Sequence, residues 1–292
     1  MAHFTESELI LTPDHRVYHL NILNSDIADT VLLVGDQNRV TEVSNYFDKI
    51  DFKTQHREFI THTGTYKGKR ITVLSTGIGT DNIDIVLNEL DAAVNIDPHK
   101  RELRKTRRRL NLIRLGTSGA LQPDLEVDSL VLSSHGIGMD GLLHFYAGLE
   151  KIEEKAISTE FIRQTNWSPS LPKPYCIAAS VELLEHFLPI AHLGITATAP
   201  GFYAPQGRQI RLKAAIPQLN KKLADFRHGK LRIANFEMET SALYGLAKLL
   251  DHRCVTLCVV IANRAQKKFS RDPQKSVRHL IETALDKIAE IV

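Results

Sequence analysis

The sequence predicts a single α/β domain in which helices flank a central mixed, mostly parallel β-sheet. Short apolar runs of buried-strand type alternate along the chain with segments whose apolar residues recur at helical spacing. The 292 residues are 43% hydrophobic and 24% charged, which is ordinary for a globular protein with a sizeable core. No linker, repeat or low-complexity tract divides the chain, so residues 1–292 are expected to form one domain.

The first half of the chain contains two strand-then-helix units and two further strands. Its predicted strands cover residues 31–34, 70–75, 110–115 and 129–133. A helical pattern follows the first strand as far as Phe47, and apolar residues at 83, 86, 87 and 90 predict a helix after the second.

The second half repeats this alternation. Residues 194–198 and 255–262 predict strands, and 182–188 and 239–250 predict helices. Asp272-Pro273 is typical of a helix start, and apolar residues at 277, 280, 284, 288 and 291 give the last helix a buried stripe.

The charge and the cysteine content of the sequence indicate which classes of protein it does not resemble. The net charge is +3, which does not argue for nucleic-acid or membrane binding, and no apolar run reaches the 18 residues of a membrane span. The N-terminal residues lack the apolar core of a signal peptide. Cys176, Cys254 and Cys258 give no even disulfide framework, so we expect a reduced, cytoplasmic protein.

A basic segment, residues 99–109, carries seven lysines and arginines. Such a run is typical of a solvated helix face, and a patch for nucleic acid or another anionic partner is the alternative. We expect a basic insertion at about 97–109.

The most informative stretch is residues 114–123, Arg-Leu-Gly-Thr-Ser-Gly-Ala-Leu-Gln-Pro. The strand is expected to end near Ile113 and the two glycines to form a turn whose N–H groups face a ligand. Thr117 and Ser118 add hydroxyls and Arg114 adds a planar cation, which together suit phosphate. A glycine-rich turn without a ligand is the alternative.

Four other polar clusters follow predicted strands or open predicted helices, where ligands of open α/β folds gather. Gly35 to Arg39 opens a helix and can hold an oxyanion, or it is a plain helix start. Residues 56–59, His-Arg-Glu-Phe, pair a cation with an anion and equally suit a surface ion pair.

The other two clusters suit a nucleoside. Phe202, Gln206 and Arg208 can form a slot for a flat ring such as uracil, with Phe202 on the ring face; an ordinary loop is the alternative. Glu237, Met238 and Glu239 precede a helix, where a carboxylate can bind sugar hydroxyls or simply cap the helix.

Taken together, these motifs resemble the trimeric and hexameric nucleoside phosphorylase family, most closely its uridine-specific members. The resemblance runs from about Tyr18 to the C-terminus, with the motifs in family order at residues 35–39, 56–59, 75–79, 114–123, 202–208 and 236–239. It implies phosphorolysis of uridine to uracil and ribose 1-phosphate in pyrimidine nucleoside salvage, by a pentosyltransferase.

The resemblance also implies roles for individual residues. Phosphate would be held by Gly35, Arg39, Arg57, Arg114 and Thr117, with Arg57 from a neighbouring subunit. The ribose would contact His19, Ser118, Glu237, Met238 and Glu239, with His19 reaching across a dimer interface. The base would contact Gly119, Phe202, Gln206, Arg208 and Arg264. Arg114, Glu239 and Arg208 would carry the catalysis.

Assembly and cofactors follow from the same resemblance. A homohexamer built from dimers with shared active sites is expected, and neither a catalytic metal nor an organic cofactor is needed, since phosphate is a co-substrate. Some relatives hold a structural monovalent cation near residues equivalent to Glu58, Ile78 and Asn82, but the residues after Gly79 are bulkier here.

Two alternatives remain open at this point. One is a phosphorylase of another nucleoside: thymidine, deoxyuridine or a purine nucleoside. Purine-specific relatives place an aspartate after the late strand, where this chain has Asn263-Arg264, which favours a pyrimidine. The other is a non-catalytic binding protein that uses the basic segment.

Overall fold

The computed structural model describes residues 3–291. Within this range the strands are β1 (Thr30–Val34), β2 (Lys49–His56), β3 (Phe59–Tyr66), β4 (Lys69–Ser75), β5 (Ile96–Asp97), β6 (Glu102–Leu103), β7 (Asn111–Ala120), β8 (Leu130–Gly138), β9 (Tyr175–Ala178), β10 (His192–Thr198), β11 (Arg227–His228), β12 (Leu231–Glu237), β13 (Arg253–Asn263) and β14 (Lys268–Phe269). The helices are α1 (Gln37–Ser44), α2 (Thr80–Asn95), α3 (Leu149–Ile152), α4 (Lys155–Thr165), α5 (Val181–Phe187), α6 (Leu219–Asp225), α7 (Thr240–Leu249) and α8 (Pro273–Ala289).

A mixed sheet organises the molecule, in the order β11-β12-β10-β8-β13-β7-β1-β4-β3-β2. Its centre is parallel, because β1 pairs in parallel with both β4 and β7, and β7 does so with β13. β12 also pairs with β7, which closes β7, β13, β8, β10 and β12 into a ring. The predicted α/β class with a mixed central sheet is confirmed; the ring and the antiparallel β2–β3–β4 edge were not predicted.

Apolar sequence explains the central strands and the helices that cover them. β1 and β13 are buried along most of their length, as continuous runs of valine and leucine predict. α2 and α7 pack on each other, and α7 also packs on β8 and β13. The last helix begins as predicted: the carboxylate of Asp272 accepts the Lys275 N–H at 3.0 Å, and Pro273 occupies the first turn.

The expected turn at residues 114–123 is wrong, because β7 continues through it to Ala120. Its neighbours explain why: β13 follows β7 as far as Ala120, so the backbone groups of the run are paired in the sheet. Gly116 and Gly119 do not form a turn; they allow neighbouring side chains to pack closely against the backbone of β7. A Cβ on Gly116 would lie 2.8 Å from the Cys258 sulfur, and one on Gly119 would lie 2.9 Å from the Phe236 ring.

The basic segment is not a helix, which corrects the expected helix face. It supplies most of the turn between β5 and β6, then β6 itself, and continues as an irregular stretch to β7. Arg101 donates through Nε to the Phe4 carbonyl at 2.8 Å and through Nη2 to the Thr5 carbonyl at 2.9 Å. Part of the positive charge therefore binds the N-terminal segment and is not free for a partner.

Arg108 anchors the end of the same segment. Its guanidinium donates to the Asp29 carboxylate at 2.7 and 3.0 Å, to the Asn24 side chain at 2.6 Å and to the Ile27 carbonyl at 2.9 Å. Three loop positions before β1 are thus held by one side chain, whereas the adjacent Arg107 is exposed.

Two smaller findings complete the fold. The cysteines are free and buried. Between residues 3 and 291 no helix has the length and apolar character that crossing a membrane requires.

We expect Arg108→Ala to lower the free energy of unfolding by about 2 kcal/mol, because several charge-assisted hydrogen bonds are lost together. Arg107→Ala is the matched control and should change it by less than about 0.5 kcal/mol. Urea unfolding at one fixed protein concentration measures both. Equal effects of the two substitutions would contradict the anchoring role.

Candidate active site

A cavity of about 870 Å³ opens beside the central strands and collects most of the residues that the sequence singled out. Of the predicted site residues it is lined by Gly35, Arg39, Arg114, Thr117, Ser118, Gly119, Phe202, Gln206, Arg208, Glu237, Met238 and Glu239. These residues come from β1, α1, β7, the loop before α6, and the β12–α7 junction. Residues distant in sequence therefore share one wall.

Arg114 lies at the centre of this cavity, in the middle of β7 and almost completely buried. Its Nη2 contacts Oε2 of Glu239, and its Nε lies 3.4 Å from Oε2 of Glu237. Burial disfavours the guanidinium charge, but Glu239 and Glu237 outweigh burial and raise the pKa of Arg114. Arg114 is therefore a permanent cation in the interior.

Glu237 ends β12 and is also buried. Its carboxylate accepts the Glu239 N–H at 2.9 Å, the Thr240 N–H at 3.0 Å and the Thr198 hydroxyl at 3.0 Å. These bonds cap α7, so the capping interpretation holds for this residue. Burial and the neighbouring Glu239 raise the pKa of Glu237 to about 7.

Glu239 occupies the N-cap position of α7 but its carboxylate turns toward the cavity. One oxygen contacts Arg114 and the other accepts the Gly79 N–H at 2.8 Å. Gly79 is the residue before α2 and has a φ of 98°, a conformation that glycine adopts readily. The carboxylate thus joins β7 to the start of α2.

Arg39 brings a second cation to this end of the cavity. It lies in the first turn of α1, and its Nη1 donates to the Leu115 carbonyl at 3.2 Å. Burial and then the nearby charge of Arg114 lower the pKa of Arg39. Nε and Nη1 of Arg114 have no hydrogen-bond partner within residues 3–291. Two cations with unused donors are suited to a multiply charged oxyanion.

Gln206 and Arg208 occupy the loop between β10 and α6, where Ala204–Gln206 forms a 3₁₀ turn. Arg208 Nη1 donates to Oε1 of Gln206 at 2.5 Å and to the Phe202 carbonyl at 2.6 Å. Its guanidinium stacks on the Phe202 ring at 3.7 Å and lies 5.8 Å from the Phe236 ring. This pair places both amide and guanidinium donors at an aromatic wall.

Five residues belong to this site but had no role in the sequence interpretation. Phe236 packs on Gly119, and Asn235 donates to the Ser118 hydroxyl at 2.8 Å, so both support predicted residues. The cavity is also lined by Ile261, Ala262 and Phe269. Asn235 and Phe236 directly precede Glu237 in the sequence, and this proximity could have pointed to them. Phe269 comes from the β13–β14 hairpin, and nothing in the sequence around it indicated a place in the site.

Three predicted residues are not brought to the cavity. Arg264 lines an adjoining cavity of about 610 Å³ and, after burial, is a cause of the lowered pKa of Arg208. His19 and Arg57 lie outside the 870 Å³ cavity, near Tyr18, whose ring lies 5.0 Å from that of His19 and 5.9 Å from the Arg57 guanidinium.

Comparison with known proteins decides the family, since residues 29–292 match the Phosphorylase superfamily. The chain belongs to this superfamily. The resemblance to nucleoside phosphorylases drawn from the motifs is thereby confirmed.

Individual members of the superfamily extend the comparison. The chain is 31% identical over 287 residues to a uridine phosphorylase of Thermococcus kodakarensis, which covers 98% of this chain and 92% of that relative. It is 27% identical over 276 residues to a DeoD-type purine nucleoside phosphorylase of Brevibacillus brevis, covering 92% and 97%. A Trypanosoma brucei nucleoside phosphorylase, whose crystal structure is described as showing uridine phosphorylase activity, superposes with a TM-score of 0.88. That comparison has 29% identity and covers 97% of this chain and 100% of the other.

Asn263 ends β13 and lines the adjoining cavity of about 610 Å³. Its side-chain amide donates to the Gln122 carbonyl at 2.9 Å and the Leu125 carbonyl at 2.6 Å, and its oxygen accepts the Gln266 N–H at 2.8 Å. The residue is buried and fully used in holding loops. Its side chain is an amide, so this position carries no carboxylic acid.

The raised pKa of Glu237 predicts a pH dependence of stability. Between about pH 4.5, its ordinary pKa, and about pH 7, the folded protein keeps a proton that the unfolded chain has released. The contribution of Glu237 to stability therefore falls as the pH rises through this window and is constant above it.

Glu237→Gln cannot titrate, so the free energy of unfolding of the wild type minus that of the variant should decrease from pH 4.5 to pH 7. Urea unfolding at intervals of half a pH unit, without phosphate in the buffer, measures this difference. A difference that stays flat across the window would show that Glu237 ionises normally.

Proposed function

We propose that this protein is a uridine phosphorylase that converts uridine and phosphate to uracil and ribose 1-phosphate. One observation carries the proposal: a single cavity holds paired cations, a buried carboxylate and a glutamine–arginine slot along one strand. From Arg114 to Gly119, β7 runs over six residues, and the five steps between them span about 16 Å at the usual rise of a strand. That length accommodates phosphate, sugar and base in a row.

The cationic end suits the attacking phosphate. Arg39 and Arg114 would hold its oxygens, with Gly35 and Thr117 completing the wall. Burial strengthens these charge interactions because water is excluded. The two guanidinium charges repel each other. A phosphate dianion bound between them would replace this repulsion with attraction to both.

The centre of the cavity suits the ribose. A carboxylate accepts two hydroxyl protons at once, so Glu239 can bind the vicinal 2′- and 3′-hydroxyls. Met238 would pack against the sugar, with Ser118 and Glu237 nearby. In the reaction a phosphate oxygen forms a bond to C1′ as the bond from C1′ to the base nitrogen breaks, and that electron pair leaves with the base.

The slot at the other end suits uracil. The Gln206 amide can both donate to a carbonyl and accept the N3–H of the ring, and Arg208 can donate to a carbonyl oxygen. These donors stabilise the negative charge that develops on the departing base. Asn263 supports a pyrimidine over a purine, because it leaves no acid to protonate a purine nitrogen.

His19 and Arg57 fit the proposal as residues that a second copy of the chain supplies. We propose a homo-oligomer, built from dimers into a hexamer, in which Arg57 reaches the phosphate and His19 the sugar of a neighbouring subunit. Phosphate is the only co-substrate in this proposal, and the proposed cell compartment is the cytoplasm.

Phosphate-dependent base release tests the function. The protein is incubated with uridine, thymidine or inosine, each with and without phosphate, and release of the base is followed by absorbance. Uridine should be consumed fastest and only with phosphate. Release without phosphate would indicate a hydrolase, and turnover of inosine alone would overturn the choice of base.

We expect Arg114→Ala to lower kcat/KM for uridine by about 10²- to 10³-fold, because a phosphate ligand and a transition-state charge are lost together. The exposed cation Arg163, which pairs with Glu160 on α4, provides the control Arg163→Ala. Circular dichroism confirms folding of both variants. Near-normal turnover of a folded Arg114→Ala at subsaturating phosphate would remove Arg114 from the phosphate site.

We expect Gln206→Ala to raise KM for uridine by about tenfold and to leave KM for phosphate within about twofold, since it removes two hydrogen bonds to the base alone. Initial rates with each substrate varied in turn separate the two constants. A variant whose uridine response matches the wild type would place the base elsewhere.

A further inference from the structure

Outside the cavity, the carboxylate of Glu89 contacts both the ring and the backbone of His19. Glu89 lies in α2 and faces the segment before β1. Its Oε1 lies 2.6 Å from Nδ1 of His19, and its Oε2 accepts the His19 N–H at 2.8 Å and the Leu20 N–H at 2.9 Å. Backbone and ring of one residue are thus fixed by the same side chain.

Neighbouring side chains restrict the ring further. The Tyr18 ring stands edge-on to His19 at 5.0 Å, and the Phe59 ring does so at 6.5 Å. Nδ1 of His56 lies 3.1 Å from the His19 carbonyl. The His19 side chain still keeps 27% of its surface exposed.

The contact with Glu89 also selects a tautomer. A carboxylate accepts hydrogen bonds and does not donate them, so Nδ1 of His19 carries the proton. In the neutral ring Nε2 then presents a lone pair. A lone pair accepts a hydrogen bond from a hydroxyl group, which suits a sugar.

We propose that Glu89 is a positioning residue for nucleoside binding: it orients His19 and keeps Nε2 as an acceptor for the 5′-hydroxyl of uridine in the neighbouring subunit. The 5′-hydroxyl is the sugar hydroxyl that remains when Glu239 takes the 2′- and 3′-hydroxyls. This inference rests on the proposed function and on the second copy supplying His19.

The position of Glu89 on α2 also has a consequence for the assembly. Gly79, just before α2, donates to Glu239 in the cavity of its own subunit, and Glu89 on the same helix holds the histidine meant for the partner. One helix therefore supports a sugar contact in each of two active sites.

Glu89→Gln tests the role of the charge. The glutamine oxygen can still accept the two backbone N–H groups, but its NH₂ group donates toward Nδ1 and so favours the opposite tautomer. KM for uridine should rise about tenfold, KM for phosphate should stay within about twofold, and 5′-deoxyuridine should be used equally by variant and wild type. Glu185→Gln, an exposed position on α5, is the control and should match the wild type.

A double-mutant cycle with His19→Ala separates positioning from a purely structural role. If Glu89 acts through His19, Glu89→Gln should change KM for uridine by less than twofold in the His19→Ala background. An unchanged KM in the single variant, or an equal loss in the double variant or with 5′-deoxyuridine, would overturn the proposal.

Nitrogen NMR of the wild-type protein gives a readout independent of activity and of the variant's folding. The His19 ring, assigned by loss of its signals in His19→Ala, should carry its proton on Nδ1 at a pH where it is neutral. A proton on Nε2 would overturn the role of Glu89. Absence of uridine turnover by the wild type would overturn the proposed function instead, while the NMR result would still decide the Glu89–His19 contact.

Discussion

The buried guanidinium of Arg114 lies between the carboxylates of Glu237 and Glu239, and four elements of the core meet at this contact. β7 supplies the arginine, the end of β12 supplies one carboxylate, and the N-cap residue of α7 supplies the other. The turn into α2 is joined through Gly79. An unpaired charge in the interior costs several kcal/mol, so these elements must come together in one register for the protein to fold.

The same contact explains why the site is electrostatically incomplete. Within residues 3–291 the guanidinium of Arg39 has a backbone carbonyl and no carboxylate as hydrogen-bond partner, and the buried Glu237 lies beside another carboxylate. Buried polar groups in proteins are normally hydrogen-bonded, whereas Nε and Nη1 of Arg114 have no hydrogen-bond partner within residues 3–291. Such a departure is expected where binding, and not stability alone, determines the residues.

Sequence reasoning found the chemistry of the site more reliably than its backbone. Arg114, Glu239 and Gln206 could be singled out by their charged or amide groups and by the order of the motifs, although a turn, a helix cap and an ordinary loop were the alternatives. The run from Gly116 to Gly119 misled, because a glycine required for a turn and a glycine required for close packing are identical in sequence. Only the partner strand and the Phe236 ring distinguish them.

Other features depended on contacts between distant segments. The basic segment suggested a helix because charge runs usually face solvent, whereas Arg101 and Arg108 bind residues far along the chain. The antiparallel edge of β2 and β3 lacks a continuous apolar run, since β2 is largely exposed. The pairing of β12 with β7 closes the ring of strands, but it corresponds to no local pattern in the sequence of either strand.

The division of the site between a strand and a loop has an evolutionary consequence. Arg114 and Thr117 lie on a central strand that pairs with β1 and β13, so the residues that the proposed function assigns to phosphate cannot shift without disturbing the sheet. Gln206 and Arg208 lie instead in residues 199–218, a connection between β10 and α6 whose Ile210 and Leu212 are exposed. Under the proposed function, descendants of one ancestral chain can exchange that connection and acquire a different choice of base while they keep the phosphate chemistry of β7.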